Sequence, residues 1–97
     1  MIKGITEKEE RIIKEILKNF PYDFYYYGSR VKGDYTKGSD LDILIKSDTE
    51  LSFEELELLE TKFNESKIPY RVNFCQFKLL DEKFYRLIEK SLVEVKI

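Results

Sequence analysis

Residues 28–45 read GSRVKGDYTKGSDLDILI, and this stretch decides the fold. The aromatic run DFYYY at 23–27 leads into it, and aromatic residues are enriched in strands. Glycine, lysine and aspartate are frequent in residues 30–39, which is typical of a loop, and the apolar run that follows indicates a second, mostly buried strand. The pattern therefore predicts two strands joined by a polar loop, with Gly28 and Ser29 at the end of the first strand.

The flanking sequence alternates between helical and strand-like periods. Two pairs, Thr6 with Glu9 and Ser52 with Glu55, have the spacing of a capping box. Each pair precedes a stripe of apolar residues at helical spacing. The other predicted elements are a helix at 7–19, a helix at 53–65, a strand at 70–77 opened by Pro69, a helix behind Asp81 with Phe84, Leu87 and Ile88 facing inward, and a tail at 92–95 that could add a strand. The order α-β-β-α-β-α predicts one α/β domain over residues 1–97, a small mixed sheet covered by helices.

Length and composition limit the possible functions. The 97 residues, 42% apolar and 37% charged, suit one small domain and exclude a disordered or low-complexity chain. The absence of histidine and the single cysteine exclude His-based zinc clusters, His-based triads and an intramolecular disulfide framework. The 17 basic and 19 acidic residues do not indicate a dedicated nucleic-acid binder. No apolar run approaches the length of a membrane span or a signal peptide, so we expect a cytoplasmic protein.

Gly28 and Ser29, which we call the phosphate turn, give the first of three linked signals. Glycine at a strand end lets the backbone approach a ligand, and the N–H groups of such a turn, followed by a short helix, attract phosphate. The Ser29 hydroxyl can donate to a phosphate oxygen, Gly33 closes the turn, and Arg30 and Lys32 could neutralise charge nearby. Taken alone, the two residues also fit an ordinary turn at the end of a strand.

Asp40 and Asp42, which we call the acidic pair, give the second signal. Residues two apart along a strand point to the same face, so the two carboxylates stand side by side. Like charges that close are unfavourable without a cation, and Mg²⁺ or Mn²⁺ with oxygen ligands would resolve the conflict. Taken alone, the pair also fits a solvated, acidic strand end. The third signal is the order: if the two strands are neighbours, a triphosphate and a metal meet at one edge of the sheet.

The phosphate turn, Gly33 and the run Ser39-Asp40-x-Asp42 resemble the signature of the polymerase-beta-type nucleotidyltransferases. In length and element order, nearly the whole chain resembles the minimal nucleotidyltransferase (MNT) domains. Those domains are often the antitoxin half of a two-protein module whose toxin is a HEPN-type RNase. The resemblance implies a polymerase-beta-like nucleotidyltransferase fold.

The resemblance also implies an activity, Mg²⁺-dependent (or Mn²⁺-dependent) nucleotidyl transfer from ATP. The acidic pair would bind two metal ions, and AMP would pass to a hydroxyl of a partner protein, expected to be a HEPN-type toxin. Neither a membrane nor a nucleic acid is expected as direct partner, and an oligomer of like or unlike chains stays open. The residues that would bind the nucleotide are Gly28, Ser29, Arg30, Gly33 and Ser39.

One position, Asn73, departs from the family pattern. Family members carry a third carboxylate on the next strand, and the matching residue in IPYRVNFC, residues 68–75, is Asn73. Asparagine can offer an oxygen to a metal, but it cannot accept the proton of an attacking hydroxyl. Two hypotheses stay open: an adenylyltransferase that acts on a partner, with Asp40, Asp42 and Asn73 as its catalytic residues, or a weakened domain that neutralises the partner by binding. An RNA nucleotidyltransferase is less favoured, because the charge balance is slightly acidic.

Overall fold

The computed structural model describes residues 2–97. The six elements of the predicted order α-β-β-α-β-α are confirmed. The tail that could add a strand forms a short one, β4, and a short helix, α2, follows the phosphate turn. The elements are α1 (Glu7–Leu17), β1 (Asp23–Tyr27), α2 (Ser29–Lys32), β2 (Leu41–Lys46), α3 (Phe53–Asn64), β3 (Val72–Gln76), α4 (Glu82–Ile88) and β4 (Val93–Glu94). None of the helices described is long and apolar enough to cross a membrane.

The four strands form a mixed sheet in the order β3-β2-β1-β4. β1 runs antiparallel to β2, with Tyr27 opposite Asp42. β2 runs parallel to β3, with Asp42 opposite Asn73. The end of β1 and the beginnings of β2 and β3 therefore lie at the same edge of the sheet, and the polar residues of the predicted site lie there.

The two faces of the sheet bury different side chains. Leu41, Ile43 and Ile45 of β2 belong to the larger core, which α1 and α3 cover. Leu44 lies on the opposite face, in a smaller cluster with Tyr27 and Ile88 that α4 covers. Because side chains alternate along a strand, Asp42 shares the α4 face with Leu44.

The helices begin at the predicted capping residues. The Thr6 side chain accepts a hydrogen bond from the Glu9 N–H, and the Glu9 carboxylate accepts one from the Thr6 N–H. The Ser52 side chain accepts from the Glu55 N–H, and Asp81 caps α4 in the same way. These bonds satisfy backbone donors that a helix otherwise leaves without a partner.

Two predictions about packing are wrong. Phe84 is 40% exposed and Leu87 is 78% exposed, so Ile88 alone of the predicted inward trio is buried. The physical reason is that α4 has only seven residues, and its buried stripe runs through Tyr85 and Ile88. The third strand also begins later than predicted, at Val72, and just before it the ring of Tyr70 packs on Arg30.

Candidate active site

Gly28 connects β1 to α2 and brings the backbone against the acidic pair. Its φ of 86° lies in the region that residues with a side chain rarely adopt. A Cβ atom at this position would overlap Oδ2 of Asp42. Glycine is therefore required for conformation and for space, and the phosphate turn and the acidic pair are in direct contact.

The structure brings the three predicted catalytic residues together. Asp40 and Asp42 flank the first residue of β2, and Asn73 lies opposite Asp42 in β3. Nδ2 of Asn73 donates to Oδ2 of Asp40 at 2.8 Å and to Oδ1 of Asp42 at 3.4 Å. Ionised carboxylates only accept hydrogen bonds, so they orient the amide with its nitrogen toward them.

Burial is the largest cause that raises the pKa of Asp42 above its usual range. The charge of Asp40 raises the pKa further, while the hydrogen bond from Asn73 lowers it. Folding therefore disfavours the ionised form of Asp42. A cation beside the acidic pair would relieve both the desolvation and the repulsion.

The donor set fits a hard divalent cation of the Mg²⁺ class. Carboxylate and amide oxygens are ligands that such ions prefer, and the missing side chain of Gly28 makes space for the Asp42 carboxylate itself. Asp40 and Asp42 would hold the ion, and Asn73 could add its Oδ1 after rotation of the amide. Within residues 2–97 no group of three or more His, Cys, Asp or Glu side chains forms a metal site, and water and substrate oxygens would supply the other ligands of such an ion.

Ser29 begins α2 directly beside Gly28. The N–H groups of Val31 and Lys32 both donate to the Gly28 carbonyl, and Gly33 ends the helix with a φ of 96°. The Ser29 side chain is half-buried, and its hydroxyl makes no hydrogen bond to another of the described residues. The hydroxyl is therefore available to a ligand oxygen, as its predicted role requires.

Arg30 and Ser39 are placed differently from the prediction that they contact the nucleotide. Arg30 is 4% exposed, and its guanidinium donates to backbone carbonyls, including that of Ser39. The Ser39 hydroxyl accepts a hydrogen bond from the Thr36 N–H. Both side chains hold the loop between α2 and β2, so the geometry does not support a nucleotide contact for either.

Two further side chains border the site. Tyr27 lies opposite Asp42 in the ladder, and its ring meets that of Phe84 edge-on, with centroids 6.4 Å apart. Cys75 follows Asn73 on the same face of β3 and is partly exposed. Burial raises the pKa of Tyr27 and that of Cys75, so both side chains stay neutral at neutral pH. The sequence carries no separate signal for Tyr27, because its position depends on the register of β1 and β2.

Replacing Gly28 with Ala should weaken binding of Mn²⁺·ATP by roughly tenfold or more. The added methyl group displaces the Asp42 carboxylate, and a lost contact to a charged group costs about 1.5 kcal/mol or more. Gly33→Ala is the matched control, since Gly33 also has a positive φ but a Cβ there would meet nothing within 4 Å. Both variants should lose stability, Gly28→Ala more than Gly33→Ala because a ψ of −159° with a positive φ is a conformation that essentially only glycine adopts. Gly28→Ala alone should lose affinity in Mn²⁺ electron paramagnetic resonance titrations. Equal affinities would show that the phosphate turn does not contact the acidic pair.

Comparisons with known proteins agree with this geometry. Residues 9–95 match the nucleotidyltransferase domain family. The chain is 37% identical over 93 residues to the Haemophilus influenzae protein named probable protein adenylyltransferase MntA, and the match covers 94% of this chain and 82% of that protein. A crystal structure from Sulfolobus solfataricus, described as a nucleotidyltransferase, shares the fold with a TM-score of 0.51 at 24% identity, over 89% of this chain and 74% of that one. The chain is therefore a member of the nucleotidyltransferase domain family, and within it a minimal nucleotidyltransferase domain.

Proposed function

We propose that the chain transfers AMP from ATP to a hydroxyl group of a partner protein. The observation that carries the proposal is the contact between the phosphate turn and the acidic pair, which has room only because residue 28 is glycine. A site that binds phosphate and a site suited to a divalent cation thus share one edge of the sheet. The name of the Haemophilus influenzae relative supports adenylyl transfer to a protein.

In the proposed reaction the acceptor hydroxyl gives its proton to solvent while its oxygen attacks the α-phosphorus of ATP, the bond between the α-phosphorus and the oxygen that bridges to the β-phosphorus breaks, and pyrophosphate leaves. The Ser29 hydroxyl donates to a phosphate oxygen. A Mg²⁺ ion held by the acidic pair would neutralise charge on the phosphate oxygens. Asn73 aligns the two carboxylates by donating to both, but it cannot accept the proton of the acceptor hydroxyl. We therefore expect slow transfer.

An exposed apolar surface on α4 supports a protein as the acceptor. Phe84 and Leu87, which we call the apolar pair, lie three residues apart on one flank of the helix. The ring of Phe84 contacts Tyr27, and Tyr27 lies opposite Asp42, so the apolar pair borders the site. An adjacent pair of exposed apolar side chains beside a catalytic carboxylate fits the docking of a partner that brings its hydroxyl to Asp42. The partner we propose is a HEPN-type toxin, which would make this chain an antitoxin.

Replacing Leu87 with Asp should slow modification of the partner by roughly thirtyfold. Loss of a side chain that becomes buried when the partner docks costs about 2 kcal/mol of binding free energy. ATP binding should not change. Phe53→Asp is the matched control: Phe53 is 75% exposed against 78% for Leu87, but it begins α3 on the other side of the sheet. The measurement is the rate of AMP incorporation at a partner concentration below saturation. Equal rates for both variants would exclude α4 as the docking surface.

Asn73 favours a second candidate function, neutralisation of the partner by binding alone. Its amide occupies hydrogen-bonding positions of both carboxylates, and no third charge is added there. The intact mass of the partner, measured after incubation with Mg²⁺ and each of the four nucleoside triphosphates, separates the two candidates. The proposal requires a mass increase of one AMP with ATP. An unchanged mass with every nucleotide, together with a neutralised partner, would favour the binding function.

A further inference from the structure

Arg30 is a buried charge at the edge of the candidate site, and the proposed chemistry gives it no part. At 4% exposure its guanidinium has no carboxylate within ion-pair distance among residues 2–97. It lies instead over the ring of Tyr70, 3.7 Å from the centroid. Its N–H groups donate to four backbone carbonyls: those of Gly4, Thr36 (3.4 Å), Lys37 (3.0 Å) and Ser39 (3.0 Å). We call this set of contacts the Arg30 clamp.

The Arg30 clamp joins the three segments that carry the site. Three of its members lie within three residues of another site residue: Arg30 follows Ser29, Ser39 precedes Asp40, and Tyr70 lies three residues before Asn73. The last two segments are also joined by a backbone bond, from the Leu41 N–H to the Arg71 carbonyl at 2.8 Å. One guanidinium therefore connects the phosphate turn, the acidic pair and the beginning of β3.

We propose that Arg30 is a positioning residue for nucleotidyl transfer, which sets the phosphate turn and the acidic pair at their working separation and does not itself bind phosphate. The inference rests on the proposed function of the site. A guanidinium suits this task because its five donors are held in one plane and its face can stack on an aromatic ring. Lysine keeps the charge but cannot reach four carbonyls in different directions, so charge alone does not replace Arg30.

Gly4 offers a second position at which a substitution can disturb the Arg30 clamp. The Gly4 N–H donates to the Arg30 carbonyl at 3.0 Å, and a Cβ atom on Gly4 would overlap the Cα and Cβ atoms of Arg30. The segment before α1 therefore packs directly on α2. Gly4→Ala pushes α2 away while the guanidinium stays intact, so it disturbs the position of Arg30 without changing its chemistry.

The test compares Arg30→Lys with Arg30→Gln, and uses Arg11→Lys and Arg11→Gln as controls, because Arg11 is an exposed arginine on α1. Measurements are made well below the unfolding temperature of each variant. A misplacement of about 1 Å can cost about 10²-fold in rate, so both Arg30 variants should lose about 10²-fold in kcat for AMP transfer, with a smaller change in the KM for ATP. Both should also weaken Mn²⁺ binding in the presence of ATP, measured by electron paramagnetic resonance. The Arg11 variants should match the wild type.

Other outcomes overturn the proposal. Retained activity in Arg30→Lys, with a raised KM in Arg30→Gln, would assign Arg30 to phosphate binding by charge. If the Arg30 variants have lower thermal stability but unchanged kcat and unchanged Mn²⁺ affinity, the role of Arg30 is purely structural. If the Arg30 variants do not fold, Gly4→Ala must still weaken Mn²⁺·ATP binding, and unchanged binding there contradicts the clamp. If the wild type modifies no protein, the proposed function fails, while the Mn²⁺·ATP titrations still decide the role of Arg30.

Discussion

Replacing Asn73 with Asp is expected to raise the rate of AMP transfer to the partner by about 10²-fold or more. An aspartate at this position of β3 would lie opposite Asp42 and could accept the proton of the attacking hydroxyl. A positioned general base contributes about 10² to 10⁴-fold to such a step. The rate is measured as AMP incorporated into the partner, at matched concentrations of protein and Mg²⁺. ATP binding should change far less, because the phosphate turn and the acidic pair are unaltered.

The same substitution should make stability depend on metal. It removes the N–H donors that now bond Asp40 and Asp42 and adds a third like charge, and a lost hydrogen bond to a charged group costs about 1.5–3 kcal/mol. Asn73→Asp should therefore unfold at a lower temperature in EDTA and recover in Mg²⁺. Asn64→Asp, an exposed substitution of the same type at the end of α3, should show no such dependence. A fast wild type to which Asn73→Asp adds nothing would show that residue 73 is not the third-carboxylate position.

Replacing Asp42 with Asn should lower the transfer rate by about 10³-fold or more. The substitution keeps the shape of the side chain but removes the charge that would hold the divalent cation, and such an ion supplies several kcal/mol of transition-state stabilisation. Asp48→Asn, at an exposed position after β2, is the control and should keep the wild-type rate. Transfer at the wild-type rate by Asp42→Asn would place the chemistry elsewhere.

Stability should move in the opposite direction from activity in the Asp42→Asn variant. The raised pKa of Asp42 means that its charged form is less favoured in the folded than in the unfolded chain. The metal-free wild type should therefore gain stability as the pH falls toward that raised pKa, and the neutral Asn should give this gain at every pH. Thermal unfolding in EDTA across pH 5 to 8, a range chosen above the usual pKa of Asp of about 3.9, measures the difference.

Much of the fold can be predicted from the sequence because its signals are local. The capping residues Thr6 and Ser52 and the apolar run of β2 mark helix beginnings and a buried strand through contacts a few residues apart. The meeting of Asn73 with Asp42 is expected from the family resemblance, which implies a third site residue on the next strand, and from the alternation of β3, which puts Asn73 on one face. In the strands, side chains alternate between the two faces of the sheet, and the structure places them on the faces that this alternation predicts.

The role of Arg30 could not be predicted, because its partners come from distant parts of the chain. Next to a phosphate turn an arginine suggests a phosphate contact, and its burial becomes apparent only when Gly4 and Tyr70 are brought to it. The exposure of the apolar pair has a similar cause. Helical spacing identifies a stripe on α4, but in a helix of seven residues it does not determine which flank faces the sheet.

The central claim is nucleotidyl transfer to a protein at this site. Its most direct test is to determine which phosphate of ATP, the α or the γ, becomes bound to the partner. The partner is incubated with the chain, Mg²⁺ and ATP labelled at either the α- or the γ-phosphate. The account predicts that label from the α-phosphate becomes bound to the partner, that label from the γ-phosphate does not, and that Asp42→Asn abolishes the incorporation. Incorporation from the γ-phosphate, or none from either position with both the wild type and Asn73→Asp, would contradict it.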